Sequence, residues 1–209
     1  MTAPTPPFTH QGRLYDELVT LTDNADSYDD AIGLAQVVYA EDGNDVIDTG
    51  AGDDLVYAGD GDDCVELGHG DDIAKGGNGN DILMGQDGND RLIGGAGDDI
   101  LEGGWGVDVL TGGEGADVFV FGEVGTDKNW DTVTDFESND TIEFNDDVTL
   151  LNAYIHPTSG RTVIDYEDSV GDVGKIILID PSDALGTHSF EAQSGFSVAM
   201  DQSVIDFFM

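Results

Sequence analysis

Aspartate recurs at every ninth position from Asp45 to Asp117 without a failure, and each one stands two residues after a glycine, from Gly43 to Gly115. Glycine admits backbone conformations closed to other residues. A carboxylate at fixed interval beside such a turn is an arrangement for presenting oxygen atoms, both side-chain and carbonyl. Oxygen donors suit a hard cation, and Ca2+ takes six to eight of them at about 2.3–2.6 Å. The single cysteine, Cys64, allows no intramolecular disulfide and no Cys-x-x-Cys zinc set. His10, His69, His156 and His188 are scattered through the chain and read as lone surface histidines. No His-Glu-x-x-His, Gly-x-Ser-x-Gly or Gly-x-x-x-x-Gly-Lys accompanies the repeat, so the chain is expected to be noncatalytic. For one Asp-Gly pair the plain reading is a turn residue bonding its own backbone. Nine in register argue for more.

The elements that position these aspartates follow from the same frame. Two residues after each Asp stands an apolar side chain: Ile47, Val56, Val65, Ala74, Leu83, Leu92, Leu101, Leu110 and Phe119. Each unit therefore reads as a turn followed by a short strand. So short a strand cannot bury its face alone, and successive units must stack and share one core. If two units complete one coil, turns n and n+2 share an edge about 4.8 Å apart, a gap that fits an ion. The expected fold is all-β: a right-handed parallel β-roll of nonapeptide repeats with a C-terminal β-strand cap. Like-charged carboxylates stacked in one ladder repel unless a cation lies between them, so folding is expected to require Ca2+.

Forty-five acids against six bases give a net charge of −39, which excludes nucleic acid and anionic membrane surfaces as partners. A hydrophobic content of 39% and the regular spacing of the acids argue against a disordered acidic tail. Met1 to Gln11 lacks an apolar core of the Sec signal type, and no apolar run of about 18 residues gives a membrane span.

The units Gly76 to Met84, GGNGNDILM, and Gly94 to Glu102, GGAGDDILE, follow Gly-Gly-x-Gly-x-Asp-x-apolar-x. This pattern resembles the RTX (hemolysin-type calcium-binding) nonapeptide repeat, and the resemblance spans nine units over 40–120. Glu41 and Gln86 replace the second Gly, where strain is expected in turns that want φ > 0, and Ala40, Thr49, Ala58 and Leu67 replace the first. The resemblance implies that each ion takes the carbonyls of positions two and four and the Asp of one turn, with the carbonyls of positions one and three and the Asp two units on. Carried over, Gly77, Gly79 and Asp81 face Gly94, Ala96 and Asp99. By the same rule Glu41, Gly43 and Asp45 face Ala58, Asp60 and Asp63, while Gly50, Gly52 and Asp54 face Leu67, His69 and Asp72. Gly59, Gly61 and Asp63 face Gly76, Asn78 and Asp81, and Gly68, Gly70 and Asp72 face Gly85, Asp87 and Asp90. Gln86, Gly88 and Asp90 face Gly103, Trp105 and Asp108, and Gly95, Gly97 and Asp99 face Gly112, Glu114 and Asp117. These are seven sites. An eighth would set Asn24 and Asp26 against Ala40, Asp42 and Asp45, and Asp117 would meet Asp131 or Asp135 at the other end.

The flanks divide the rest of the chain. Residues 1–20 read as a flexible segment and 21–39 as a degenerate repeat one residue out of frame, with Gln36 to Tyr39 a strand whose turn has lost its Asp. Residues 121–183, with DTVTDF from Asp131 and DTIEF from Asp140, resemble the closing region of serralysin-type metalloproteases and alginate epimerase R-modules. Thr162 to Tyr166 and Lys175 to Asp180 read as further strands of this cap. Residues 184–209 end in Asp206-Phe207-Phe208-Met209, which resembles a type I secretion signal. The resemblance thus implies a calcium-binding module that meets the type I secretion machinery, acts extracellularly, and folds on Ca2+ after export. The alternatives are an extracellular polysaccharide-binding module using Trp105, Trp130 or Tyr154, and the C-terminal piece of a secreted enzyme. At position seven one sheet carries Val46, Cys64, Ile82, Ile100 and Val118, and the other Leu55, Ile73, Arg91 and Val109. The first, wholly apolar face is expected to be covered by the C-terminal segment or by the Tyr15 to Thr20 region, or to form a homodimer interface; the oligomeric state is left open.

Overall fold

Each unit carries an inward apolar residue between two outward ones, and the chain turns at the glycines, so strands alternate between two sheets. The computed structural model describes residues 8–10, 13–15, 17–29, 33–122, 130–144, 148–155, 161–167, 171–179, 189–192 and 196–199. An antiparallel pair, β1 (Phe8–His10) and β2 (Arg13–Tyr15), precedes the roll. The coils begin with β3 (Glu17–Thr20), β4 (Ser27–Asp29), β5 (Gln36–Tyr39) and β6 (Val46–Asp48). They continue through β7 (Leu55–Asp60), β8 (Cys64–His69), β9 (Ile73–Asn78), β10 (Ile82–Asp87), β11 (Arg91–Ala96), β12 (Ile100–Trp105) and β13 (Val109–Glu114). They end with β14 (Val118–Phe121), β15 (Trp130–Val133) and β16 (Thr141–Phe144). Even-numbered strands form one parallel sheet and odd-numbered strands the other, so the parallel β-roll is the fold.

Register is fixed at one coil of two units. Leu83 pairs with Val65 on one side and Leu101 on the other, and Leu92 lies between Ala74 and Leu110 in the opposite sheet. All nine apolar position-eight residues are buried and belong to one continuous core. At the C-terminal end that core runs on through Val133, Phe136, Ile142, Phe144, Ile164, Tyr166, Ile176 and Leu178. Ring pairs bind the two parts: Phe119 and Phe136 have centroids 6.0 Å apart, and Phe144 and Tyr166 are 5.4 Å apart.

The closing strands change direction. β17 (Thr149–Ile155), β18 (Thr162–Glu167) and β19 (Val173–Leu178) make an antiparallel meander, and β19 docks in parallel on β15. β20 (Ser189–Ala192) pairs in parallel with β16 and antiparallel with β21 (Phe196–Ala199). Asp180 and Asp206 to Met209 lie outside the described residues.

Two findings differ from the sequence reading. Glu17–Thr20, assigned to a flexible segment, is a strand that extends the ten-stranded sheet by pairing with β5. The outer face with the better-covered position-seven residues is also the other one. On the nine-stranded sheet Val46, Ile82 and Ile100 remain 53%, 39% and 39% exposed, whereas Leu55 on the ten-stranded sheet is only 2% exposed. The cause is local packing. Leu18, Val37 and Leu55 are aligned in register, and Ala35, Tyr39, Tyr57 and Ile73 pack around them as a second, small core. Tyr39 and Tyr57 stack at 4.9 Å, with the Lys75 ammonium 5.1 Å from the Tyr57 ring centre.

Candidate metal sites

The turns between strands show why this sequence needs its glycines. Position two lies at positive φ in every described repeat, and Glu41 at 74° and Gln86 at 72° are the only non-glycine residues in that region among those described. Position four is also at positive φ, and there a side chain has no room. A Cβ on Gly97 would collide with the carbonyl oxygen of Gly79, and one on Gly95 with that of Gly77. The carbonyls of positions two and four thus point across the gap at the turn one coil further on.

The aspartates close the same gap. In each predicted pair the Oδ1 of the later Asp accepts the backbone N–H of the earlier one: Asp63 from Asp45 at 2.8 Å, Asp72 from Asp54 at 2.6 Å, Asp81 from Asp63 at 2.9 Å and Asp90 from Asp72 at 2.9 Å. Asp99 accepts from Asp81 at 2.8 Å, Asp108 from Asp90 at 2.8 Å and Asp117 from Asp99 at 3.0 Å. The other oxygen, Oδ2, is buried without a hydrogen-bond partner at Asp45, Asp63, Asp81, Asp90, Asp99 and Asp108. An orphaned buried carboxylate oxygen costs about 1–3 kcal/mol or more, so a repeated one marks a missing partner.

For the gap between Gly76–Asp81 and Gly94–Asp99 the oxygens can be placed one by one. A Cβ on Gly76 would strike the Oδ2 of Asp81 and stand 2.7 Å from the carbonyl oxygen of Gly94. The Ala96 carbonyl accepts the Gly79 N–H at 2.8 Å. Gly77, Gly79, Gly94 and Ala96 carbonyls and the carboxylates of Asp81 and Asp99 therefore border one gap. These residues fit Ca2+, a cation satisfied by carbonyls and carboxylates together. Among the described residues no three His, Cys, Asp or Glu side chains gather as a metal cluster.

Burial is the main cause of the raised pKa of these carboxyl groups, with backbone hydrogen bonds lowering it and neighbouring carboxylates raising it further. Asp81 is pushed up to about 6, Asp90 to about 8 and Asp99 to about 7. Asp45, Asp63 and Asp117 are raised for the same first reason.

The ends of the ladder depart in part from expectation. Asp26 donates its N–H to Asp45 at 2.6 Å, and the Asn24 carbonyl lies where a Cβ on Gly43 would fall, so the out-of-frame repeat brings both to the turn containing Ala40 and Asp42. Gln36 stands in the position of an Asp and donates its N–H to Asp54 at 2.7 Å. At the C-terminal end Asp117 does not pair with Asp131, while Asp135 lies close enough for its charge to raise the Asp117 carboxyl. The Asp117 N–H goes to Asp140 at 3.1 Å, while Asp131 receives the N–H of Asp108 at 3.0 Å. Five residues are inserted between Asp117 and Asp131, after which the nine-residue spacing resumes at Asp140. Asp135 instead accepts the N–H groups of Gly112 and Gly113 at 3.0 and 2.9 Å, and the second oxygen of Asp140 accepts the Glu137 N–H at 2.7 Å. Asp131 is raised well above the usual carboxylate range by burial and by Asp108, and Asp140 to about 6 by burial.

Sequence reasoning missed three features. Asp140 was hidden by the insertion, although its distance from Asp131 gave it away. A second ladder runs along position five: Asn44 accepts from the Asp62 N–H at 3.1 Å, Asp62 from Asn80 at 2.9 Å, and Asn80 from Asp98 at 2.8 Å. His69, read as a lone surface residue, pairs through Nδ1 with Asp87 at 2.6 Å, one coil along.

Over residues 39–74, 65–90 and 84–119 the chain matches the family model of the RTX calcium-binding nonapeptide repeat, four copies long. No curated protein sequence matches it. Among solved structures it is similar to the extracellular lipase LipA from Serratia marcescens, at 16% identity and a TM-score of 0.35. That likeness covers 82% of this chain and 38% of the lipase, so the chain spans about two fifths of that protein.

Proposed function

We propose, given that residues 39–119 are RTX calcium-binding nonapeptide repeats, that the chain is a noncatalytic structural module that folds on Ca2+ after export by type I secretion. The observation that carries this reading is the row of buried Asp Oδ2 atoms without a partner. When bound, Ca2+ supplies positive charge between carboxylates that otherwise repel. The seven gaps give seven ions, and Asn24 and Asp26 support an eighth beside Asp45. At low cytosolic Ca2+ the acidic chain stays threadable, and at millimolar Ca2+ outside it folds, which hinders its return. Calorimetric titration of the chelated full chain, with circular dichroism recorded in parallel, tests this: binding and β structure should develop together at micromolar Ca2+ or above. Half-saturation far below micromolar would contradict folding outside the cell.

A second reading, binding of an extracellular polysaccharide, draws on one placement. Trp130 directly precedes Asp131, which bonds Asp108, so Trp130 extends the column that holds Val107, and Trp105 sits in the same turn as Val107. The three are 44%, 48% and 48% exposed, the Lys175 ammonium lies 5.8 Å from the Trp130 ring centre, and exposed indoles suit the flat apolar face of a sugar ring. Tyr154 lies in β17, with its side chain outside the described residues. Retention on an immobilised neutral polysaccharide, lost in a Trp105→Ala/Trp130→Ala variant, would support it; equal retention would remove it.

A further inference from the structure

Position one divides the roll in two. Its last five occupants are Gly76, Gly85, Gly94, Gly103 and Gly112, and none of these lies at positive φ. Backbone conformation therefore does not require glycine there. Space does. A Cβ on Gly76, Gly85 or Gly94 would collide with the Oδ2 of the Asp five residues on and stand 2.5–2.7 Å from the position-one carbonyl oxygen of the next turn. Two oxygens thus approach one point that only a Cα without a Cβ leaves open.

The first four occupants are Ala40, Thr49, Ala58 and Leu67, each wholly buried, with Ala40, Ala58 and Leu67 inside the main apolar core. In these gaps a real Cβ holds the place that the Asp carboxylate and the next carbonyl share further along. In one of them the carbonyl is also engaged: the Thr49 hydroxyl donates to the Leu67 carbonyl at 3.0 Å. These gaps gain apolar packing, and a Cβ stands where the oxygens of the later gaps converge.

We infer that position one grades the calcium affinity of the array: the gaps entered by Gly76, Gly85 and Gly94 hold Ca2+ tightly, and those entered by Ala40, Thr49, Ala58 and Leu67 hold it weakly. The inference rests on the calcium reading above and goes beyond it, since all nine units carry the same Asp. Calcium affinity follows the number, charge and rigidity of the oxygens offered, and the two classes differ by about tenfold or more. The N-terminal coils lean instead on Leu67 and on the small core around Val37 and Leu55.

Native mass spectrometry of the full chain, loaded with Ca2+ and then stepped down in free Ca2+, counts the ions retained. The wild type should pause at three ions from these seven gaps before losing the rest. Leu67→Gly should raise that plateau by one, and Gly94→Ala should lower it by one. Thr49→Gly offers a milder addition should Leu67→Gly cost too much core, because it frees the Leu67 carbonyl while leaving the apolar ladder intact. A single step from full to empty, or a plateau indifferent to these variants, overturns the grading and leaves calcium binding standing. No retained calcium at any concentration overturns the calcium reading itself.

Discussion

Chelating calcium at neutral pH should unfold the roll, and acidifying the chelated protein should restore it. Two carboxylates one rung apart, about 4.8 Å, repel by about 3.5 kcal/mol at an effective dielectric near 20. Each Oδ1 recovers about 1.5–3 kcal/mol from the N–H it accepts, but the buried Oδ2 without a partner costs about 1–3 kcal/mol. Each rung with such an orphan is therefore unfavourable without a cation, and the five at Asp63, Asp81, Asp90, Asp99 and Asp108 together match or outweigh a net stability of about 5–15 kcal/mol. Protons can do part of the cation's work. The folded-state pKa values of Asp81, Asp90 and Asp99, about 6, 8 and 7, lie above the ordinary 3.8 of the unfolded chain. Groups raised in this way favour the folded state most fully below the unfolded pKa, and that contribution is lost as pH rises through the folded values. In chelator, then, β structure should be absent at pH 8 and return progressively as pH falls through 8 to 6 and on towards 5, above the isoelectric point of about 4.1. Far-UV circular dichroism with small-angle scattering in EGTA reads both secondary structure and compaction. A full β spectrum in EGTA at pH 8, or a chain still unfolded at pH 5, would refute carboxylate repulsion as the cause.

Three further variants probe other parts of the roll in the calcium-loaded state. Gln86→Gly removes a side chain held at φ 72° and should stabilise by roughly 0.5–1 kcal/mol after glycine's larger unfolded-state entropy is counted, a rise of about 1–4 °C in the melting temperature. Leu92→Ala opens the buried ladder between Ala74 and Leu110 and should cost about 2–5 kcal/mol, seen as a higher Ca2+ midpoint for folding. Asp135→Ala deprives the Gly112 and Gly113 amides of both acceptors at the junction with the cap, and should cost about 2–4 kcal/mol in urea unfolding.

The pairing of every framed aspartate was legible because the repeat has no gaps: once two units make a coil, Asp63 must face Asp81, and the ladder bond between them follows. The cap was legible as strands, and β18 at Thr162–Glu167 lies where β-branched residues cluster. What escaped depended on contacts that spacing does not encode. Asp131 reaches Asp108 and Asp140 reaches Asp117 only after an insertion, so frame counting stopped two rungs short. Cover for the apolar face from within the chain was not legible, because position seven reports how apolar a column is, not what packs beside it. Leu55 is covered through Tyr39 and Tyr57, residues of position nine on the same sheet, while the more uniformly apolar column at Val46, Ile82 and Ile100 has no such tyrosines. His69 and Asp87 could have been paired from the coil length alone; the histidine had been considered singly.

The separation of odd and even strands into two sheets has a bearing on how such a chain can change length. The sheets are not equivalent: one carries the tyrosine stack and Lys75, and each receives a different part of the cap. Removing or duplicating two adjacent units leaves every later strand on its own side. A single unit gained or lost carries the whole downstream chain half a revolution round the axis, breaking columns such as Tyr39 over Tyr57 wherever the cut falls between their members. Viable lengths therefore differ by pairs, and an odd number of changes demands a compensating resurfacing of both sides.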